Sequence, residues 1–214
     1  MPRFASVILD ADSTLAGLEG VDWLAARRAP EVAAESAALT ARAMAGEVPM
    51  DAVYVTRLMR IRPTAAELEL LASAYVAAVA PGAIDCVAAL HAARVRVVIV
   101  SGGLREALVP LAALLGIDDR DVHAVQLRFN DNGDYAGLDG DQPLATQDGK
   151  ARIVRWLALP APALAVGDGA TDAALRPDVA AFAAFTGFVR REPVVQAANH
   201  VLASFDELRD LVLA

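Results

Sequence analysis

Val7-Ile8-Leu9-Asp10-Ala11-Asp12-Ser13-Thr14 is an apolar run that ends in two aspartates one residue apart, followed at once by hydroxyl residues that break a strand. The run predicts a short buried strand. On a straight strand, carboxylates at i and i+2 point to the same side, but at a strand's end the chain turns and they can take different work. Asp10, in line with the strand, is placed to be a nucleophile that accepts a phosphoryl group. Asp12, beyond the turn, is placed to hold a proton for a leaving group. The same residues also suit a strand end with helix-capping side chains, so this pattern alone leaves both readings open.

At 214 residues the chain can bury a sizeable core as one domain with a modest insert. Its hydrophobic fraction of 56% comes largely from alanine and valine, and no stretch approaches the roughly 18 to 20 uninterrupted apolar residues of a membrane helix. Met1-Pro2-Arg3-Phe4 leads within a few residues into Asp10, which leaves no room for a signal peptide, so a soluble cytoplasmic protein with no membrane partner is expected. A formal net charge of −8 argues against a nucleic-acid partner, which needs a basic surface. The single Cys86 excludes an internal disulfide and sits in a helical pattern that predicts a small buried thiol. Lys and Arg together number 19, yet Lys150 is the only lysine. One lysine in a chain that otherwise uses arginine points to a site that wants a compact ammonium and not a planar fork.

After Asp12, two glycines in Leu15-Ala16-Gly17-Leu18-Glu19-Gly20 suit a flap leaving the strand. From Val21 to about Tyr75 the chain is alanine-rich and predicts several short helices, with breaks at Pro30, at Gly46 to Pro49 and at Arg62-Pro63-Thr64. The expected division is therefore a helical insert over 14–78 within a core formed by 1–13 and 79–214. A helix over 83–93 precedes the β-branched strand Val95 to Val100, which turns through Ser101-Gly102-Gly103 into a helix from Leu104 to Leu115. That turn offers a hydroxyl, approachable backbone N–H groups and a helix N-terminus to an anion, although an ordinary strand-to-helix turn reads the same way. Asn130-Asp131-Asn132-Gly133-Asp134 predicts a hairpin of 123–129 and 134–138. Lys150 falls near the start of a helix that runs to Leu157. A third apolar run, Ala163-Leu164-Ala165-Val166, ends in Gly167-Asp168-Gly169-Ala170-Thr171-Asp172. Further strands are expected near 180–184 and 200–202, with a last helix over 205–212. Strands alternating with helices call for a parallel sheet, whose ligands bind at the carboxyl ends where Asp10, Ser101 and Asp168 all fall.

Asp10-Ala11-Asp12-Ser13-Thr14, Ser101-Gly102-Gly103, Lys150 and Gly167-Asp168-Gly169-Ala170-Thr171-Asp172, in that order, resemble the haloacid dehalogenase-like hydrolases. A narrower resemblance, to the phosphoserine phosphatase family, rests on Glu19-Gly20, Arg42-Ala43-Met44, Val48-Pro49, Arg57, Asn132-Gly133-Asp134-Tyr135-Ala136-Gly137, Pro177 and Phe185-Thr186-Gly187. It implies an α/β, Rossmann-like parallel-sheet core with a small all-helical cap inserted after the first strand, plus the hairpin. It also implies Mg²⁺ on the side chains of Asp10 and Asp168 and the carbonyl of Asp12, with Asp172 orienting Lys150 or bound waters. Hard oxygen ligands and an incomplete protein shell suit that ion.

The implied activity is hydrolysis of O-phosphoserine, a small phosphomonoester, through an aspartyl phosphate on Asp10, with Asp12 as acid and then base. Lys150, Ser101, Gly102 and Gly103 would hold the phosphate. By the same resemblance Glu19 would take the substrate ammonium, Arg57 its carboxylate, Met44 and Ala45 would line the pocket, and Thr171 would contribute from the core. Ala45 stands where the family often has glycine and Met50 where it often has phenylalanine, which makes the pocket wall more adaptable. Other readings are the same core acting on another small phosphomonoester, transfer to an alcohol such as homoserine, or a non-catalytic phospholigand module. Dehalogenation is disfavoured because those enzymes lack the second aspartate. A homodimer is left open, and the cap is expected to open and close so that water is excluded in one step and admitted in the next.

Overall fold

Apolar runs without polar alternation become strands buried on both faces, and here they assemble into a parallel sheet. The computed structural model describes residues 1–44 and 50–214. In chain order the elements are β1 (Ser6–Leu9), α1 (Gly20–Ala25), α2 (Pro30–Met44), α3 (Met50–Ile61), α4 (Ala65–Ala77), α5 (Ala83–Ala92), β2 (Arg96–Leu104), α6 (Arg105–Leu114) and β3 (Val122–Val125). There follow β4 (Leu127–Phe129), β5 (Tyr135–Leu138), α7 (Gly149–Leu157), β6 (Ala163–Gly167), α8 (Ala170–Ala173), β7 (Ala181–Phe185), α9 (Glu192–Ala197), β8 (His200–Leu202) and α10 (Phe205–Leu213).

Six strands form one parallel sheet in the order β3-β2-β1-β6-β7-β8. The all-buried residues of β1 lie between β2 and β6, with Leu9 paired to both Ile99 and Val166. The chain builds outward on one side of β1 and then crosses to the other, which makes β1 the point where the strand order reverses. Open α/β sheets bind ligands in the crevice at such a point, beyond the carboxyl ends of the strands.

Beyond Asp12 the chain bends sharply. Ser13 takes φ of +50°, a left-handed conformation that costs an L-residue roughly 1–2 kcal/mol. The bend is held by Thr14 N–H donating to Ala11 O (3.3 Å) and Ala16 N–H to the same oxygen (3.0 Å). The segments leading into and out of α1–α4 are tied together, Gly17 N–H donating to Ala78 O (3.0 Å) and Ala80 N–H to Leu15 O (2.8 Å). Within this helical group α2 packs on α3, while α4 packs along α6 of the sheet layer and its Ala65 N–H donates to Gly133 O (2.9 Å) in the hairpin.

The start of α4 shows why it begins where it does. Pro63 cannot extend the preceding helix, and Thr64 then caps α4, its hydroxyl accepting from Glu67 N–H (3.2 Å) while Glu67 Oε2 accepts from Thr64 N–H (2.8 Å). Arg28 grips both oxygens of the Glu67 carboxylate, one at 2.6 Å, and its Nε donates to Ile61 O (2.7 Å). These bonds push the Glu67 pKa down to about 2.

Several boundaries differ from the sequence expectation. The break expected at Pro30 falls just before it, over residues 26–29, and Pro30 is the first residue of α2, because a proline's missing N–H is no loss in the first helical turn. Ser101-Gly102-Gly103 is extended backbone within β2, not a turn, because Leu104 still pairs with Val125 of β3 across an irregularity in the ladder. The expected first hairpin arm, 123–129, is split. Val122–Val125 joins the large sheet beside β2, and only Leu127–Phe129 pairs with Tyr135–Leu138. Sequence alternation is the same whichever partner satisfies the ladder. The expected break at Gly46 to Pro49 lies outside the described residues. Cys86 is buried in α5, as expected. Among the described residues no helix is long and apolar enough to cross a membrane.

Candidate active site

Three adjacent strands deliver their ends to one place. Asp10 follows β1, Ser101 and its glycines lie near the end of β2, and Asp168 follows β6. Asp10, Ser101, Asp168 and Asp172 are all buried, and so is Lys150, in the first turn of α7. Two glycines permit this convergence. A Cβ on Gly167 would sit 2.2 Å from Asp172 Cγ, and one on Gly149 would sit 1.9 Å from Pro143 O, so neither position admits a side chain.

A cation at a helix N-terminus opposes the helix dipole, and here the carboxylates account for it. Lys150 Nζ lies 2.8 Å from Asp10 Oδ1 and 2.6 Å from Asp172 Oδ1. Burial alone would depress its pKa, but the two carboxylates outweigh burial and hold the ammonium charged above the ordinary lysine range. Asp172 also accepts from Gly169 N–H (3.0 Å), while burial and the Asp10 charge raise its own pKa.

Asp12 stands within the bend and has different partners. Its Oδ2 accepts from Gly20 N–H (3.3 Å) and its Oδ1 from the phenol of Tyr75, a fully buried residue of α4. Burial, then the charges of Glu19 and Asp10, push the Asp12 pKa up to about 8, against the opposing effect of those two hydrogen bonds. In the Ser101-Gly102-Gly103 segment Gly103 N–H donates to Ser101 Oγ (3.0 Å), which leaves the hydroxyl proton able to donate to a ligand. Gly102 O accepts from the phenol of Tyr54 on α3 (2.7 Å).

The remaining predicted residues are less directly joined to this centre. Glu19 is exposed, accepts from Ser13 Oγ (2.6 Å) and lies 3.8 Å from Arg191 Nη2. Arg57 is ion-paired to Asp22, and its Nε donates to Ser36 Oγ (2.7 Å). Thr171 is half-buried in α8. Met44 ends α2, and Ala45 lies outside the described residues.

Four residues at the site went unread in the sequence: Tyr54, Tyr75, Asp22 and Arg191, whose guanidinium is paired with the Asp168 carboxylate. None stands in a motif, so no local signal marks them. Only the placement of α1, α3, α4 and the segment before α9 brings them in.

Asp10, Asp168 and Asp172 each bring a carboxylate oxygen within 4.8 Å of the others. Asp10 Oδ1 and Asp168 Oδ2 are buried and accept no well-formed hydrogen bond, each facing a cation instead. Three buried carboxylates offering hard oxygens at this density fit a divalent cation.

A parallel α/β sheet with an aspartate at the end of its central strand, a run of helices between that strand and the next, and a buried carboxylate–ammonium cluster defines a class, and residues 7–176 match it: the chain belongs to the haloacid dehalogenase-like hydrolase family. Members of this family generally use a divalent metal. Among curated proteins the chain is similar to the phosphoserine phosphatases of Mus musculus and Homo sapiens, each 35% identical over 206 residues, which are 95% of this chain and 91% of the relative. Among solved structures it is similar to a phosphoserine phosphohydrolase-like protein from Francisella tularensis, with a TM-score of 0.85, 25% identity, and coverage of 96% of this chain and 98% of that one.

Proposed function

We propose that this enzyme hydrolyses O-phosphoserine to serine and phosphate with Mg²⁺, Asp10 acting as nucleophile and Asp12 as proton donor and acceptor. The observation that carries the reading is the separation of the two carboxylates by environment. Asp10 lies 2.8 Å from the Lys150 ammonium at the end of the central strand. Asp12 is raised to about 8, which favours its protonated form at neutral pH. Neighbouring carboxylates with different partners, a lysine ammonium for Asp10 and a phenol and a backbone N–H for Asp12, can take the two roles that a phosphoenzyme mechanism needs.

In the first step Asp10 attacks phosphorus, the bond from phosphorus to the serine oxygen breaks, and Asp12 gives its proton to that oxygen. The ionised Asp12 is then stabilised by the Tyr75 hydroxyl and Gly20 N–H. In the second step Asp12 takes a proton from water as the water oxygen attacks phosphorus, releasing phosphate and restoring Asp10. Lys150 and the Ser101 hydroxyl bear on the oxygens where transition-state charge collects, with the Gly102 and Gly103 amides completing the cradle. Asp10, Asp168 and the Asp12 carbonyl would hold Mg²⁺, which when bound neutralises phosphoryl charge, and Asp172 would orient Lys150.

Residues 14–78 act in this reading as a cap over the core of 1–13 and 79–214, and they supply substrate choice. Glu19 takes the ammonium of phosphoserine, and Arg57 its carboxylate, for which a guanidinium fork is matched. Met44 and Ala45 line the pocket, and Thr171 contributes from the core side. Arg57 already holds one carboxylate, that of Asp22, so substrate binding exchanges one carboxylate for another.

The test is phosphate release from a panel of small phosphomonoesters, with metal present or chelated and with Asp10→Asn as control. Preference for phosphoserine, lost on chelation and reduced at least about 10³-fold by the substitution, is expected. Equal rates across the panel would overturn the substrate assignment, and an Asp10→Asn enzyme of wild-type rate would overturn the mechanism.

A further inference from the structure

The phosphate cradle consists of two chain segments that share no backbone hydrogen-bond ladder. One is Ser101-Gly102-Gly103 in β2, and the other is the loop that leads into α7 and Lys150. They lie close together, because a Cβ on Gly102 would stand 3.6 Å from Leu144 O. A single helix of the insert touches both. Tyr54 of α3 donates its hydroxyl to Gly102 O at 2.7 Å, and Asp51 Oδ1 accepts from Gln147 N–H at 2.6 Å. Asp51 and Tyr54 are three residues apart and therefore share a helix face.

The peptide unit that Tyr54 grips is significant for the site. Gly102 O and Gly103 N–H belong to one rigid plane. The N–H side donates to Ser101 Oγ (3.0 Å), so rotation of this plane would break that bond and the bond to Tyr54 together. Glycines offer little resistance to such rotation by themselves. Burial, then the nearby Asp12 charge, raise the Tyr54 pKa well above the usual phenol range, so the hydroxyl remains a donor at every working pH. Gln147 is three residues before Lys150, and Gly149 between them is pressed onto Pro143 O, so a hold on Gln147 is a hold on the start of α7.

We propose that Tyr54, acting with Asp51, is a positioning residue for phosphate: α3 clasps the Gly102 peptide and the Lys150 loop, setting the donors of both segments in mutual register. The proposal rests on the reading of this site as one that binds a phosphate ester. Neither residue touches the reacting atoms. Arg57 stands one helix turn after Tyr54, so the same helix that chooses the substrate's carboxylate end also holds the cradle for its phosphate end.

The test uses the full chain with metal and compares wild type, Tyr54→Phe, Asp51→Ala and the double variant. Inorganic phosphate binding is read by calorimetry, and kcat and KM for phosphoserine are read separately. Tyr54→Phe keeps the ring and removes one hydrogen bond, so phosphate affinity is expected to fall about three- to tenfold with the thermal midpoint nearly unchanged. The double variant is expected to lose less than the product of the single losses, as coupled residues do. Phosphate affinity within twofold of wild type in Tyr54→Phe overturns the proposal, as does a loss matched by an equal loss of folding stability. Strictly multiplicative losses overturn the joint clasp. A wild type that binds phosphate without hydrolysing phosphoserine sinks the proposed function and leaves the clasp to be judged on binding alone.

Discussion

Both sides of the site pair carboxylates with basic side chains, and they differ in how tightly the pairs are held. On the core side, Lys150 is enclosed with Asp10 and Asp172, all three side chains less than a tenth exposed. On the insert side, Arg57 pairs with an Asp22 side chain that is 60% exposed, and Glu19 meets Arg191 across 3.8 Å. Buried charges of opposite sign are strongly coupled and expensive to separate, whereas exposed pairs are weak and exchangeable. The core cluster is thus held more tightly than the Arg57–Asp22 and Glu19–Arg191 pairs, each of which has a solvent-exposed member.

Lys150→Met gives the largest expected break in that comparison. It leaves Asp10 and Asp172 buried without their cation, so the metal-free chain should lose about 3–5 kcal/mol of stability. Lys150→Arg should not restore activity, because a planar fork does not replace a compact ammonium between two carboxylates. Urea unfolding with a chelator present checks the first point, and an unchanged midpoint would refute it. Phosphate release checks the second.

Arg57→Ala tests the exchangeable side. It should lower kcat/KM for phosphoserine by about 10- to 100-fold, the range for one charge-assisted contact, with a much smaller effect on a phosphomonoester that lacks a carboxylate. Asp22→Asn should act oppositely and tighten phosphoserine binding by removing the competing carboxylate. Equal losses on both substrates in Arg57→Ala would return Arg57 to a packing role.

The smallest effect is sought at a pair between these extremes. The Glu67 pKa, near 2 in the folded chain against an ordinary 4.5, means that its bonds to Arg28 and Thr64 stabilise the fold above the ordinary value. That contribution is lost as pH falls from about 4.5 towards 2. Arg28→Ala should therefore destabilise by about 1–2 kcal/mol at neutral pH, with the gap to wild type closing over that acid window. Unfolding curves at several pH values would show it, and a gap independent of pH would place the effect in packing instead.

Much of the core was legible because its determinants are local. Strand β1 is a run of apolar residues, and parallel strands buried on both faces need nothing more to be recognised. Asp10, Ser101 and Asp168 stand at strand ends, and topology brings such ends together at one crevice. The solitary Lys150 stood out by composition alone. The first hairpin arm and the Ser101-Gly102-Gly103 segment were misjudged because the partner strand β3, which decides both, is non-local.

What the amino-acid order determined by itself is the sequence of buried strands and the chemical groups at their ends, since burial pattern and residue type are written into short stretches. What only the tertiary structure decided is who faces those groups. Tyr75 on Asp12, Tyr54 on Gly102, Asp22 on Arg57 and Arg191 on Asp168 are 63, 48, 35 and 23 residues apart in the chain. Each pair exists because helices pack by shape and apolar area, and those forces carry no record of which polar side chain they bring along.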